Sequence, residues 1–245
     1  MCGMTDLTDH WTSPPDRMVH GALGRCDLTI LLPPFTVDSG GFPANDPARA
    51  RELALAFGTV EEVLEELEPR GAIEAPPYPA ERADLDVVLA GAWGHVLGIS
   101  DLALADDGND EPLLYEARKL RERFPDARIF GRVSFDPGDS HTEDLVWLPD
   151  GTLFHASGWP GSDPWELTGD PYEVTAALGI TEEMLEDADL DLDAEPEEVE
   201  WADLVSLALG DADPWALPQP RVSAFRVRHT ASYTRRMEEL FLPDV

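Results

Sequence analysis

The sequence is poor in the residues that announce a chemistry. Cysteine occurs only at Cys2 and Cys26, too few for a disulfide framework or a thiolate metal cluster, and this points to a reducing cytoplasm. No apolar run approaches the roughly 20 residues that a membrane span needs. The N-terminus carries Asp6 and Asp9 where a signal peptide would have an apolar stretch. There is no Gly-Lys-Ser/Thr phosphate loop and no spaced G-x-G-x-x-G turn. Ser157 and Ser162 lack the flanking glycines of a nucleophile elbow.

Positive charge is also scarce. Seventeen Lys and Arg face 50 Asp and Glu, for a formal net charge of −33, and Lys119 is the only lysine. Such a surface repels nucleic acid and anionic membranes and attracts cations or basic proteins, less strongly as salt is added. The expected partner is therefore a basic protein, with no nucleic acid and no membrane. The arginine-rich, lysine-poor composition suits a high-GC bacterial coding sequence, and a salt-loving host gives the same bias.

What is present is enough to fold. Of the 245 residues 43% are hydrophobic, with seven tryptophans and nine phenylalanines, which excludes general disorder and supports a packed core. A single α+β domain over residues 1–245 is expected. From Asp110 to Phe124, Leu113, Ala117, Leu120 and Phe124 line one face of a helix, with Asp110 as N-cap, Pro112 in the first turn and Pro125 as the stop. The period then falls to two: Ile129, Val133 and Phe135 alternate with arginine and serine, as in a strand with one buried face.

Next, Leu145–Leu148 and Thr152–Ser157 flank Pro149-Asp150-Gly151, a three-residue hairpin loop. Pairing Leu148 with Thr152 sets Trp147 beside Leu153, Leu145 beside His155 and Val146 beside Phe154, with both faces apolar, as in inner strands of an antiparallel sheet.

Before this segment, Cys26–Leu32 reads as a first strand. Residues 46–57 read as a helix, and Thr59 with Glu62 as the capping box of another, with Val60, Val63, Leu64 and Leu67 inward. Residues 70–82 read as a mobile, proline-rich connector. Residues 84–90 and 95–100 form a second hairpin across Gly91–Gly94.

After Ser157, a tryptophan-rich loop holds Trp159 and Trp165, which either staple it to the core or form a recognition patch. Asp170 then caps a helix that Gly179 ends. Residues 186–198 are an acidic linker, and Trp201, Leu204, Val205 and Ala208 mark a docked helix. A strand over Arg221–His229 and a helix carrying Tyr233, Met237 and Phe241 close the chain. Their arginines are expected to partner the acidic stretch of residues 182–213. The sum is a mainly antiparallel sheet (hairpin, helix, three-strand meander) covered by helices on one face.

Two constellations bear on chemistry. Asp187, Asp189, Asp191, Asp193, Glu195 and Glu198 fall at positions 1, 3, 5, 7, 9 and 12 of a calcium-loop template, but Leu192 stands where that loop needs glycine. Calcium is accordingly the one ion suggested, and no other cofactor is. Asp139, His141 and Glu143 share a loop, with His155 on the neighbouring strand, a set able to bind a divalent metal and activate water. His141 and His155 are then the candidate catalytic groups.

The passages LLYEARKLRERFPDARIFG, VWLPDGTLFHASGWPG and GDPYEVTAALGIT resemble an uncharacterised domain-of-unknown-function family of acidic proteins from high-GC bacteria. The resemblance runs from Trp11 to about Thr181 and implies no activity, substrate or catalytic residue. The sequence therefore suggests a non-enzymatic acidic binding or inhibitor (immunity-type) protein. A metal-dependent hydrolase and a calcium-stabilised module are the alternatives.

Overall fold

The computed structural model describes residues 11–20, 22–37, 41–75, 78–136 and 141–242. Among them the chain forms nine strands in one antiparallel sheet and six α-helices, an α+β architecture. The strands are β1 (Ala22–Leu31), β2 (Val60–Gly71), β3 (Val87–Trp93), β4 (Val96–Ser100), β5 (Arg128–Asp136), β6 (His141–Trp147), β7 (Leu153–Trp159), β8 (Ser162–Thr168) and β9 (Arg221–His229). The helices are α1 (Pro47–Leu55), α2 (Pro112–Arg123), α3 (Pro171–Leu178), α4 (Glu182–Asp187), α5 (Trp201–Leu209) and α6 (Ala231–Phe241). Across the sheet the order is β2-β9-β3-β4-β1-β5-β6-β7-β8. No helix among the described residues is long and apolar enough to cross a membrane.

The meander follows its sequence pattern closely. Leu148 N–H donates to Thr152 O at 2.8 Å, and Leu145 pairs with His155, Val146 with Phe154 and Trp147 with Leu153. Gly151 takes φ +100°, a conformation that a Cβ would strain. The expected first strand, the Asp46-capped helix and the Asp170-to-Gly179 helix also form. The expected tryptophan-rich loop is instead the end of β7, a tight turn and β8, with Trp159 on one strand and Trp165 on the other. There Trp165 packs on Gly158, where a Cβ would lie 2.4 Å from its ring, and Trp165 Nε1–H donates to Trp159 O.

Each face of the sheet carries a hydrophobic cluster. One joins Leu28, Ile30, Ile99, Ile129, Leu145 and Phe225 to α1, α2 and α6. The other joins Leu31, Leu89, Phe130, Val146, Phe154 and Ala224 to α3, α5 and Trp215. Helical residues thus meet both faces, where one face was expected. The reason lies in the strands, since neighbours such as Ile30 and Leu31, or Leu145 and Val146, point to opposite sides and both are apolar.

Several expectations fail for identifiable reasons. Thr59–Leu67 is no helix; it opens β2, an edge strand paired with β9. The register shifts after Val60, Val63 and Leu67, and each bulge adds a residue to β2. Twelve residues of β2 thus lie against nine of β9, and buried positions recur at helix-like intervals. Thr59 instead donates its hydroxyl to the Asp101 carboxylate, and Glu62 pairs with Arg228 at 2.7 Å.

The second hairpin turns at Gly94-His95, and residues 82–86 form a 3-10 turn ahead of β3. In the expected connector, Arg70 and Gly71 end β2, Glu81 bridges to Met18, and Arg82 is buried against Asp86. Described arginines of β9 and α6 pair with Glu62, Glu65, Asp106 and Asp110, all outside the acidic stretch at 182–213.

Candidate functional site

The polar groups of the meander separate into a structural knot and an open hollow. Glu143 and His155 make the knot. Glu143, fully buried on β6, accepts from Leu113 N–H at 3.1 Å and Leu114 N–H at 2.8 Å, the first turn of α2. His155 Nε2 lies 2.9 Å from the same carboxylate. The side chain of Asp110 does not cap the helix. Glu111 stands at the N-cap without a side-chain bond, and a carboxylate from 30 residues downstream satisfies the orphan amides and faces the positive helix end. Both Glu143 oxygens are occupied in this way, which gives that residue a structural use.

His141 lies two residues before Glu143 on the same face of β6. Its Nε2 is 3.3 Å from Ser157 Oγ on β7, and its ring meets Trp159 edge to face at 5.0 Å between centroids. Only 1% of the residue is exposed, and its Nδ1 has no partner. Burial drives its pKa down to about 4, so the imidazole is neutral at neutral pH. Asp139 lies outside the described residues.

Beside these groups opens a hollow of about 520 Å³, lined by residues 108–111, His141, Ser157, Gly158, Trp159, Pro164 and Glu166. Three of its lining side chains are carboxylates, Asp110, Glu111 and Glu166, and none is a lysine or arginine. Asp106, which accepts from the lining Gly108 N–H at 3.2 Å, is buried, and burial raises its pKa to about 6 against the pull of Arg236 at 3.2 Å. Trp159 was legible in the sequence as a recognition candidate. Glu111 and Glu166 were not, because 55 residues and three strands separate them; only the β7–β8 turn brings them to one rim.

The calcium-template acids lie elsewhere. Asp187 ends α4, Asp189 takes φ +55°, the Asp191 carboxylate accepts from Asp193 N–H at 3.0 Å, and Glu198 sits in a 3-10 turn. Tyr172 O–H donates to Asp193 at 2.7 Å. Leu190 is buried and Leu192 packs on the same cluster, so the acid–leucine alternation anchors the segment by its leucines. Asp189, Asp191 and Asp193, but not Asp187 or Glu198, wall a hollow of about 690 Å³ with Glu182 and Glu186, over Ile180, Leu185 and Leu190. Among the described residues no group of three or more His, Cys, Asp or Glu side chains is arranged to hold a metal ion.

Two further polar networks were invisible in the sequence. On the α5 side of the sheet, Arg132 binds Asp213 at 2.8 Å and Asp27 at 3.2 Å and donates to Ser206 at 2.9 Å. Its cross-strand neighbour Asp144 is buried, and burial pushes that carboxyl well above the ordinary range. Near α6, His229 Nε2 lies 3.1 Å from Asp101, and its Nδ1 3.7 Å from Asp86. Burial alone would lower the His229 pKa, but Asp101 and Asp86 raise it to about 9. Neither network lines a described hollow.

The model of a family of unknown function, DUF6333, covers residues 10–244, and the chain belongs to that family. No curated protein and no solved structure matches it.

Proposed function

We propose that the protein is a non-enzymatic binding protein whose acidic surface engages a basic protein partner. One observation carries this reading. Residues 182–203 hold twelve acidic side chains and no lysine or arginine, and among the described residues no ion pair joins them to a basic group elsewhere in the chain. Acids that serve only internal folding tend to be answered internally, as Asp27 and Asp213 are by Arg132. Carboxylates left to solvent around an apolar floor, as in the 690 Å³ hollow, suit a partner that brings positive charge on an amphipathic surface. Glu143 gives both its oxygens to α2 and His155, which weakens the case for hydrolysis at His141 and His155.

The test compares two variants of equal charge for binding to an immobilised arginine-rich peptide. One replaces Glu182, Glu186, Asp189 and Asp191 by their amides. The other replaces Glu52, Glu66, Glu68 and Glu122, which are exposed elsewhere. The reading requires binding that salt releases and that the first set weakens several-fold more than the second. Equal losses would reduce the effect to bulk charge and sink it.

A further inference from the structure

We infer that the hollow between α2 and the β7–β8 turn is a specific pocket for a guanidinium group, an arginine side chain presented by the basic partner. The inference rests on the reading of the protein as a binder of basic partners and adds which chemical group is recognised, and where.

Size and wall chemistry argue against the alternatives. Asp110, Glu111 and Glu166 line a space of about 520 Å³ yet are not gathered with other ligating side chains closely enough to hold a metal ion. Carboxylates spread around an opening of that size suit an organic cation with donors on more than one side. An anion would meet three negative groups, and a neutral apolar ligand would have to strip water from them without replacing it.

The aromatic wall narrows the choice further. Trp159 stands on the same rim, its indole held by His141 on one side and its carbonyl by the Trp165 indole on the other. A planar guanidinium stacks on such a ring while its fork of N–H groups reaches carboxylates, which a lysine ammonium does less well. Gly108 leaves the space open, since a Cβ there would stand 3.1 Å from Trp159 Nε1 and 3.4 Å from His141 Cδ2.

His141 gives an observation independent of the acids. It is a lining side chain, 99% buried, with an unpartnered Nδ1. An imidazole whose Nε2 faces Ser157 Oγ keeps Nδ1 as an acceptor when the proton is on Nε2. A buried acceptor without a donor is costly, and an N–H donor that a ligand brings to this wall of the hollow would answer it.

Isothermal titration of the full chain with the blocked amino acid acetyl-arginine-amide, and with its lysine counterpart, tests the inference. Two-dimensional spectra of the indole N–H groups report the place, with the Trp159 signal identified by its loss in Trp159→Phe. The expected result is saturable binding of the arginine compound that moves the Trp159 signal, with the lysine compound several-fold weaker. In Glu111→Gln/Glu166→Gln the affinity falls about tenfold, as for a lost charge-assisted contact. In Glu66→Gln/Glu68→Gln, which removes equal charge from exposed positions of β2, it stays within about twofold.

Absence of a Trp159 response, or equal losses in the two double variants, overturns the pocket. Because arginine-rich peptide binding is scored separately, its survival in that event leaves the binding-protein reading standing. A Trp159 response without peptide binding would overturn that reading and with it the assignment of the group to a protein partner.

Discussion

At the scale of single residues, the most consequential placement is His229. It sits fully buried between Asp101 and Asp86, and its pKa of about 9 means that the folded protein holds its proton well above the ordinary histidine range. The folded pKa is raised, so the stability it contributes is complete below the unfolded value near 6.5 and is lost as pH rises through about 9. The paired Asp101 is shifted the opposite way: burial would raise it, but His229 and Thr59 hold it low. Its contribution is lost in acid, as pH falls through the depressed folded value. Denaturant unfolding from neutral pH to pH about 9.5 should show a decline on the order of 2–3 kcal/mol, largely flattened in His229→Gln. An unchanged slope in that variant would contradict the assignment. His141 has the reverse sign, since its lowered pKa makes stability fall as pH drops from about 6.5 toward about 4.

At the scale of elements, α2 depends on a group it does not own. Its first-turn amides are satisfied by Glu143 of β6, which His155 of β7 holds in place, so helix and meander form one cooperative unit. Glu143→Gln keeps the shape but removes the charge facing the helix N-terminus and, whichever way the amide is turned, sets its NH2 against one of the two backbone donors. We expect a loss of about 2–4 kcal/mol by chemical denaturation, with Leu113 and Leu114 amides exchanging faster than those near Leu120. A loss below about 0.5 kcal/mol, the usual range for surface substitutions, would show the carboxylate to be dispensable. The sequence disclosed the α2 face because Leu113, Ala117 and Leu120 follow a local period. It named Asp110 as the cap because a cap supplied from 30 residues away leaves no trace near the helix.

At the scale of the whole molecule, a formal charge of −33 must oppose compaction. Raising salt from about 0.01 M to about 1 M shortens the screening length from about 30 Å to about 3 Å, which relieves repulsion among acids such as those of residues 182–203. The melting temperature should therefore rise by several degrees with sodium chloride, and rise less in a variant carrying the four amides at 182, 186, 189 and 191. A flat or falling response would mean that internal pairs such as Arg132–Asp27 outweigh the surface repulsion.

By itself the sequence determined what depends on neighbours along the chain. It set the period of α2, the Pro149-Asp150-Gly151 loop and hence the register from Leu145 to His155, the Asp46 and Asp170 caps, and the sign of the net charge. Tertiary structure alone decided what depends on residues far apart. It made Thr59–Leu67 a bulged edge strand, because β9 arrives from some 160 residues downstream and its pairing outweighs a local pattern that bulges make look helical. It buried Arg132 among carboxylates of β1 and the segment after α5. It also gathered Glu111, Trp159 and Glu166 on one rim, since a pocket is a property of which strands lie side by side and no local period records that order.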